Sequence, residues 1–295
     1  MALSIFTSGA AMSSTNALNK SNSILSTAME RLGTGKRITS AADDAAGLQI
    51  ATRLQGQVNG MGVAQRNVAD STAMLQTAEG AFEEVTNILY RVKDLATQAA
   101  NDTNGTKERT AIGTEVNELV KELGNIMTTT SYAGEKLFAD TGATTFAAGG
   151  KFKAALNFQI GADKSEKLAL DMTTELGAVA TELAKLGTPA GATTAASTLP
   201  GVADATGLMD NVTTALEAVG TARSSLGANI NRLGHTAANL ANMKDNTTLA
   251  LGNIRDADFA TEATNMTRNQ MLAQTSMSML KQANSMSGMV MSLLG

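Results

Sequence analysis

A seven-residue rhythm constrains this chain more than any other feature. Leu54, Met61, Val68, Leu75, Phe82, Leu89 and Ala96 recur without a miss, and Val58, Val85 and Val92 widen the stripe at three- and four-residue offsets. Apolar side chains at that spacing lie on one side of an α-helix, so this helix must pack on other helices. A helix over about 44–98 would extend roughly 80 Å at ~1.5 Å per residue. A compact sphere of such a chain would have a radius of gyration near ~19 Å. The expectation is therefore a rod.

Turn chemistry in Asn101-Asp-Thr-Asn-Gly105-Thr breaks this helix. Ile112, Val116, Leu119, Leu123 and Ile126 then begin a second amphipathic helix, so the chain doubles back. Far downstream, Val212, Val219, Leu226, Leu233, Leu240 and Ile254 resume the seven-residue step, with Thr247 as the one polar interruption. Three long helices can share one seam. Between them Phe152, Leu156, Phe158 and Ile160 alternate with polar or small residues, and a turn at 161–165 leads to Leu168, Leu170 and Met172. That alternation predicts one β-hairpin, which needs the helices as its partner because an isolated hairpin is marginal in water. The two prolines, Pro189 and Pro200, both fall in a Gly/Ala/Thr-rich stretch at 186–207, which reads as a surface excursion between two helical halves. Gly56, Gly60 and Gly62 inside the first long helix each cost about 1 kcal/mol relative to Ala. They mark either close backbone approach or a weak point.

Composition closes off most chemistry. There is no Cys and one His, His235, which removes disulfides, thiolate zinc sites, Cys nucleophiles and any His-based metal cluster or relay within one chain. The net charge of -4 carries no basic block, which argues against a dedicated nucleic-acid binder. No stretch is long and apolar enough to span a bilayer, and 1–20 lacks the pattern of a cleaved signal peptide. Gly33-Thr-Gly-Lys36 lacks both the upstream Gly and the Ser/Thr of a phosphate loop, so it reads as a helix break. Asp43-Asp44, Asp256 and Asp258 have no acid-base partner and suit helix capping. Asn101-Asp-Thr103 and Asn104-Gly-Thr106 match a glycosylation sequon but read as turn chemistry. No enzymatic activity, metal or cofactor is expected.

The two ends differ from the middle. Leu18, Leu25 and Leu32 at the start, and Leu272, Met279, Met286 and Leu293 at the finish, form apolar stripes, while the other faces are Ser, Asn, Thr and Gln rather than charge. Ser, Asn and Thr are poor helix formers, so these segments should be ordered mainly by burial against partners. The stripes are expected to pack on each other and on neighbouring subunits, which makes these seven residues the candidate self-assembly surface. Met277, Met289 and Met291 read as filler in the same helix layer.

Both ends also carry specific motifs. Met29-Glu-Arg-Leu32, Gly35-Lys-Arg-Ile38, Asp43-Asp-Ala-Ala-Gly-Leu48, Ile50-Ala-Thr-Arg-Leu54 and Gln76-Thr-Ala-Glu-Gly80 stand in the first half. Ser225-Leu-Gly-Ala228, Asn231-Arg-Leu233, Ile254-Arg-Asp-Ala-Asp-Phe-Ala-Thr-Glu262 and Ser292-Leu-Leu294 stand in the second. Over about 1–176 and 205–295 the chain resembles bacterial flagellin. Gly234 in place of an acidic residue, the abundance of Met and the Ser4-Ile-Phe-Thr-Ser8 start point to a divergent member of secondary or lateral type.

The resemblance implies a mainly α fold: a long-helix coiled-coil rod with one β-hairpin, its terminal helices forming an inner coiled-coil layer around a narrow channel. It divides the chain into an inner terminal region (1–43 with 253–295), a rod with hairpin (44–176 with 205–252) and a short variable insert (177–204), too short for an outer domain. The implied function is a structural subunit of the extracellular flagellar filament, serving motility and secreted through the flagellar type III export apparatus. The alternative is a hook-filament junction protein, which is expected to be weaker in the 43–48 and 254–262 motifs. Implied partners are further copies of the chain, hook-associated junction and cap proteins, an export chaperone at the C-terminal segment, and innate immune receptors. For the last, the matching residues are Arg91, Leu95 and Glu115, with Tyr90 where receptor-stimulating relatives usually have Gln.

Overall fold

The computed structural model describes residues 9–138, 150–187 and 201–294, with the backbone alone at 187 and 287–294. Its elements in chain order are α1 (Gly9–Thr34), α2 (Ala45–Ala99), α3 (Thr106–Thr129), β1 (Ser131–Tyr132), β2 (Glu135–Lys136), a 3-10 turn (Lys151–Lys153), β3 (Leu156–Gln159), β4 (Lys167–Leu170), α4 (Thr173–Gly187), α5 (Val202–Arg255) and α6 (Phe259–Leu294). The fold is mainly α, as the periodicity requires. The chain divides into two compact units, Met1–Val58 with Asp245–Gly295, and Asn59–Lys244; α2 and α5 contribute to both.

The unit formed by Asn59–Lys244 is built on the seven-residue seam. Met61, Val68, Leu75, Phe82, Leu89 and Ala96 of α2, Ile112, Val116 and Leu123 of α3, and Val212, Val219, Leu226, Leu233 and Leu240 of α5 are all buried. Phe82 extends this core sideways, with its ring 4.8 Å from that of Phe138, which lies 5.9 Å from Phe152. Charges flank the seam rather than enter it: Arg223 pairs with Glu79 at 2.6 Å. At the turn after α2, the Arg109 guanidinium donates to the carbonyls of Ala99 (3.0 Å) and Asn101 (3.2 Å), satisfying groups that a helix end leaves open.

The expected hairpin is β3 and β4, antiparallel with Leu156 opposite Leu170 and Phe158 opposite Leu168. It packs on α2 at a defined point. A Cβ placed on Gly60 would lie 2.8 Å from the Cβ and 3.3 Å from the Cα of Ala162, in the hairpin turn. Nearby, the Asn67 side-chain amide donates to the Gln159 carbonyl at 3.2 Å. Gly60 is thus a site of close approach, whereas Gly56 and Gly62 face open space.

Two elements depart from the sequence expectation. A second hairpin joins β1 to β2 through Ala133 (φ 51) and Gly134 (φ 83), the paired positive φ of a two-residue type I′ turn. Its two-residue arms are too short for any alternation. Helix α4 also carries the core into the 177–204 segment, because Val179, Ala180, Leu183 and Leu186 are buried. On the far side Ala205 and Leu208 of α5 are buried as well. Pro189 and Pro200 lie outside the described residues.

In the other unit, α1 and α6 pack against each other. Helix α1 stops at Gly35, whose φ of 69 is the left-handed conformation that favours glycine, and the Gly35 amide donates to the Arg31 carbonyl at 2.8 Å. The Gly33-Thr-Gly-Lys36 sequence is therefore the helix break it resembles.

Candidate functional site

The pairing of α1 with α6 rests on small residues. On α1 the buried positions are Ser14, Ser21 and Ala28, a seven-residue spacing, and Leu18, Leu25 and Leu32, each four residues further on, are half-buried. On α6 they are Glu262, Asn269 and Ala273. Two of the buried polar groups are satisfied within their own helices: Ser14 Oγ donates to the Ala10 carbonyl at 2.9 Å, and the Asn269 side-chain amide donates to the Asn265 carbonyl at 2.8 Å. Glu262 instead accepts from Arg31 Nη1 at 3.0 Å.

A backbone splice fixes the start of this pair. The Arg37 amide donates to the Arg255 carbonyl at 2.6 Å, and the Ala257 amide to the Gly35 carbonyl at 3.0 Å. The Arg37 guanidinium adds a bond to the Ile254 carbonyl at 2.7 Å. The aspartates read as caps take those roles at two places. Asp44 Oδ1 accepts from the Gly47 amide at 2.8 Å at the start of α2, and Asp258 Oδ1 accepts from the Ala260 amide at 2.9 Å at the start of α6. Asp43 ties the connecting loop, since its Oδ2 accepts from the amides and hydroxyls of both Thr39 and Ser40 at 2.9–3.1 Å. The Ser40 amide, then the Thr39 amide and hydroxyl, lower its pKa to about 2. Asp256 pairs with Lys36 in an isolated backbone bridge.

Several large apolar side chains of α6 lie away from that buried face. Leu272 is 47% exposed, Met279 60% and Met286 52%, with Met271 and Met277 similarly open; the side chain of Leu293 lies outside the described residues. Met12, Ile24 and Met29 of α1 are exposed too. Of the fourteen large apolar residues exposed among the described residues, eleven belong to this unit. Fully burying an exposed side chain of this kind is worth about 1.5–3 kcal/mol, and with about half of each still open, part of that stabilisation remains unrealised in the free chain.

The remaining sequence candidates divide. Arg91 and Glu115 come together as an exposed pair, with Nη2 and Nε of Arg91 at 2.7 and 3.2 Å from one carboxylate oxygen, and Tyr90 is exposed beside them. Leu95 is 2% exposed, so it supports that surface from beneath and offers nothing to touch. His235 is exposed. Among the described residues no cluster of His, Cys, Asp and Glu could hold a metal, and no helix is long and apolar enough to cross a membrane.

Comparison with known proteins places the chain in a family. The family pattern of the bacterial flagellin N-terminal helical region matches residues 5–143, and that of the C-terminal helical region matches residues 209–294. The chain belongs to the bacterial flagellin family. It is 38% identical over 268 residues to a flagellin of Halalkalibacterium halodurans, covering 90% of each chain. It is also 34% identical to flagellin A of Vibrio anguillarum, covering all of both. The latter alignment runs to 381 positions, so that relative carries residues that this shorter flagellin lacks. A solved Vibrio parahaemolyticus protein assigned as flagellar hook-associated shares the fold at 16% identity, with a TM-score of 0.55, over 72% of this chain and all of that one.

Proposed function

We propose that this chain is a structural subunit that self-assembles into the flagellar filament, and that the open α1–α6 face is buried there against further copies of itself. The observation that carries the reading is the concentration of exposed Leu and Met on the unit formed by both chain ends, in a chain whose relatives are flagellins. In this reading 1–43 with 253–295 is the inner terminal region, with Leu18, Leu25, Leu32, Leu272, Met279, Met286 and Leu293 as the assembly stripes. Residues 44–176 with 205–252 are the rod, and 177–204 is the short variable insert, leaving the outer surface nearly bare.

The protein acts by packing and has no catalytic role. It is secreted through the type III apparatus, its C-terminal segment is held by an export chaperone beforehand, and junction and cap proteins flank it in the filament. The exposed Arg91–Glu115 pair is the contact for an innate immune receptor, and Arg91→Ala should lower the response in a receptor reporter assay. An equal response would make the pair a plain surface ion pair.

Seeded growth tests the assembly reading. Leu272→Asp with Met279→Asp places charge on exposed positions, so circular dichroism of the monomer should be unchanged while electron microscopy shows no filament growth from seeds. Normal filaments from this variant would refute the role of the face. The hook-associated likeness shows the fold alone and does not favour a junction protein.

A further inference from the structure

The chain has sixteen methionines and no cysteine, so thioethers are its only sulfur groups. They are sorted by the structure. Met61, Met74, Met127 and Met172 are buried in the core of the Asn59–Lys244 unit, each at most 5% exposed, whereas Met12, Met29, Met271, Met277, Met279 and Met286 of the other unit are 49–61% exposed, and three of them, Met271, Met279 and Met286, share one side of α6. At 100° per residue, ~3.6 residues per turn, these three and Leu272 fall within one sector of about 100°. The face formed by Glu262, Asn269 and Ala273, which packs on α1, lies largely on the opposite side.

We propose that Met271, Met279 and Met286 are an oxidation site that switches assembly off in the free subunit; this rests on the assembly reading above. The oxidant is a hydroperoxide, with hydrogen peroxide the simplest case. The thioether sulfur lone pair attacks one peroxide oxygen, the O–O bond breaks, and that oxygen stays on sulfur as the sulfoxide. The other oxygen leaves as water after proton transfer, so sulfur loses two electrons and the peroxide gains them. A sulfoxide is polar and a strong hydrogen-bond acceptor, and an apolar contact that buries it without a donor is penalised. The core methionines are shielded from the same reagent, so the packed unit stays folded. Subunits already in a filament are protected, because their α6 faces are covered.

The test treats full-length monomer with hydrogen peroxide, maps sulfoxides by peptide mass spectrometry and measures seeded elongation. Met271, Met279 and Met286 should oxidise at least tenfold faster than Met61, Met74, Met127 and Met172, and elongation should fall at least tenfold with unchanged circular dichroism. Methionine sulfoxide reductase should restore it. A variant with Met271→Leu, Met279→Leu and Met286→Leu keeps the apolar face, and peroxide should leave its elongation unchanged. Undiminished elongation of oxidised wild type, equal oxidation of core and α6 methionines, or failure of the reductase to restore growth would each overturn the proposal. Untreated wild type that never elongates would sink the assembly reading itself, and this inference with it.

Discussion

Gly60→Ala and Gly62→Ala should have opposite effects on stability, although they lie two residues apart in the same helix. Replacing a helix-interior glycine by alanine gains about 1 kcal/mol from backbone entropy, and at Gly62, with nothing within 4 Å of the new Cβ, that gain is realised. At Gly60 the Cβ meets the Ala162 Cβ at 2.8 Å, closer than carbon atoms approach, so the hairpin turn must move. Overpacking of this kind costs about 1–3 kcal/mol, which leaves a net loss of about 0–2 kcal/mol. The two variants should therefore differ by about 2 kcal/mol, a separation of about 4–8 °C in Tm for a unit of this size. Thermal unfolding of the monomer by far-ultraviolet circular dichroism measures this directly. Adding Ala162→Gly to Gly60→Ala should recover most of the loss, because only the Cα, at 3.3 Å, remains in the way. If Gly60→Ala stabilised the protein as much as Gly62→Ala, the hairpin would not be seated on α2 at this point.

Other outcomes follow from the same geometry. Asp43, with its folded pKa lowered to about 2 from 3.8, stabilises the 39–43 loop fully above about pH 4 and loses that effect as pH falls through its folded pKa; the Thr39 and Ser40 amide resonances should titrate near 2, and a midpoint near 3.8 would contradict the hydrogen bonds. Phe82→Ala removes a fully buried ring that packs tilted against Phe138, and urea unfolding should show a loss of about 3–5 kcal/mol. Arg223→Ala breaks a partly exposed pair with Glu79 and should cost no more than about 1 kcal/mol in the same assay. Deleting 285–295 should leave the circular dichroism of the Asn59–Lys244 unit intact and stop filament growth from seeds; normal polymerisation would show that the segment is dispensable.

The long helices were legible because their seam is made of large side chains at fixed spacing, and Leu75, Phe82, Leu89, Val219, Leu226 and Leu233 are buried where that spacing puts them. The pairing of α1 with α6 was harder to read. Its inner face is written in Ser14, Ser21, Ala28, Asn269 and Ala273, residues that hydropathy treats as neutral, so the eye goes to Leu272 and Met279 one or more positions away. The repeat of small residues at 14, 21 and 28 was the available signal. Leu95 was assigned to a recognition surface by position in a motif, yet a helix places it on the side facing the core, next to Ala96 and Val92. The β1–β2 hairpin left only the Ala133-Gly134 pair as a trace, and α4 was obscured by its neighbourhood of Gly, Ala and Thr.

The ion pair between Arg31 and Glu262 joins residues 231 positions apart, with all of α2 to α5 lying between them in the chain. A polypeptide that emerges from its N-terminus can close the Asn59–Lys244 unit as soon as α5 is out, while α1 still waits for a partner at the opposite extremity. A copy cut short before α6 would carry a folded middle and a solitary Ser/Asn-rich helix, which is marginal in water. Only a chain that has reached α6 can present the paired helices, so in the proposed assembly completeness is checked by topology itself, and a fragment without α6 should fail to join a filament without any separate inspector.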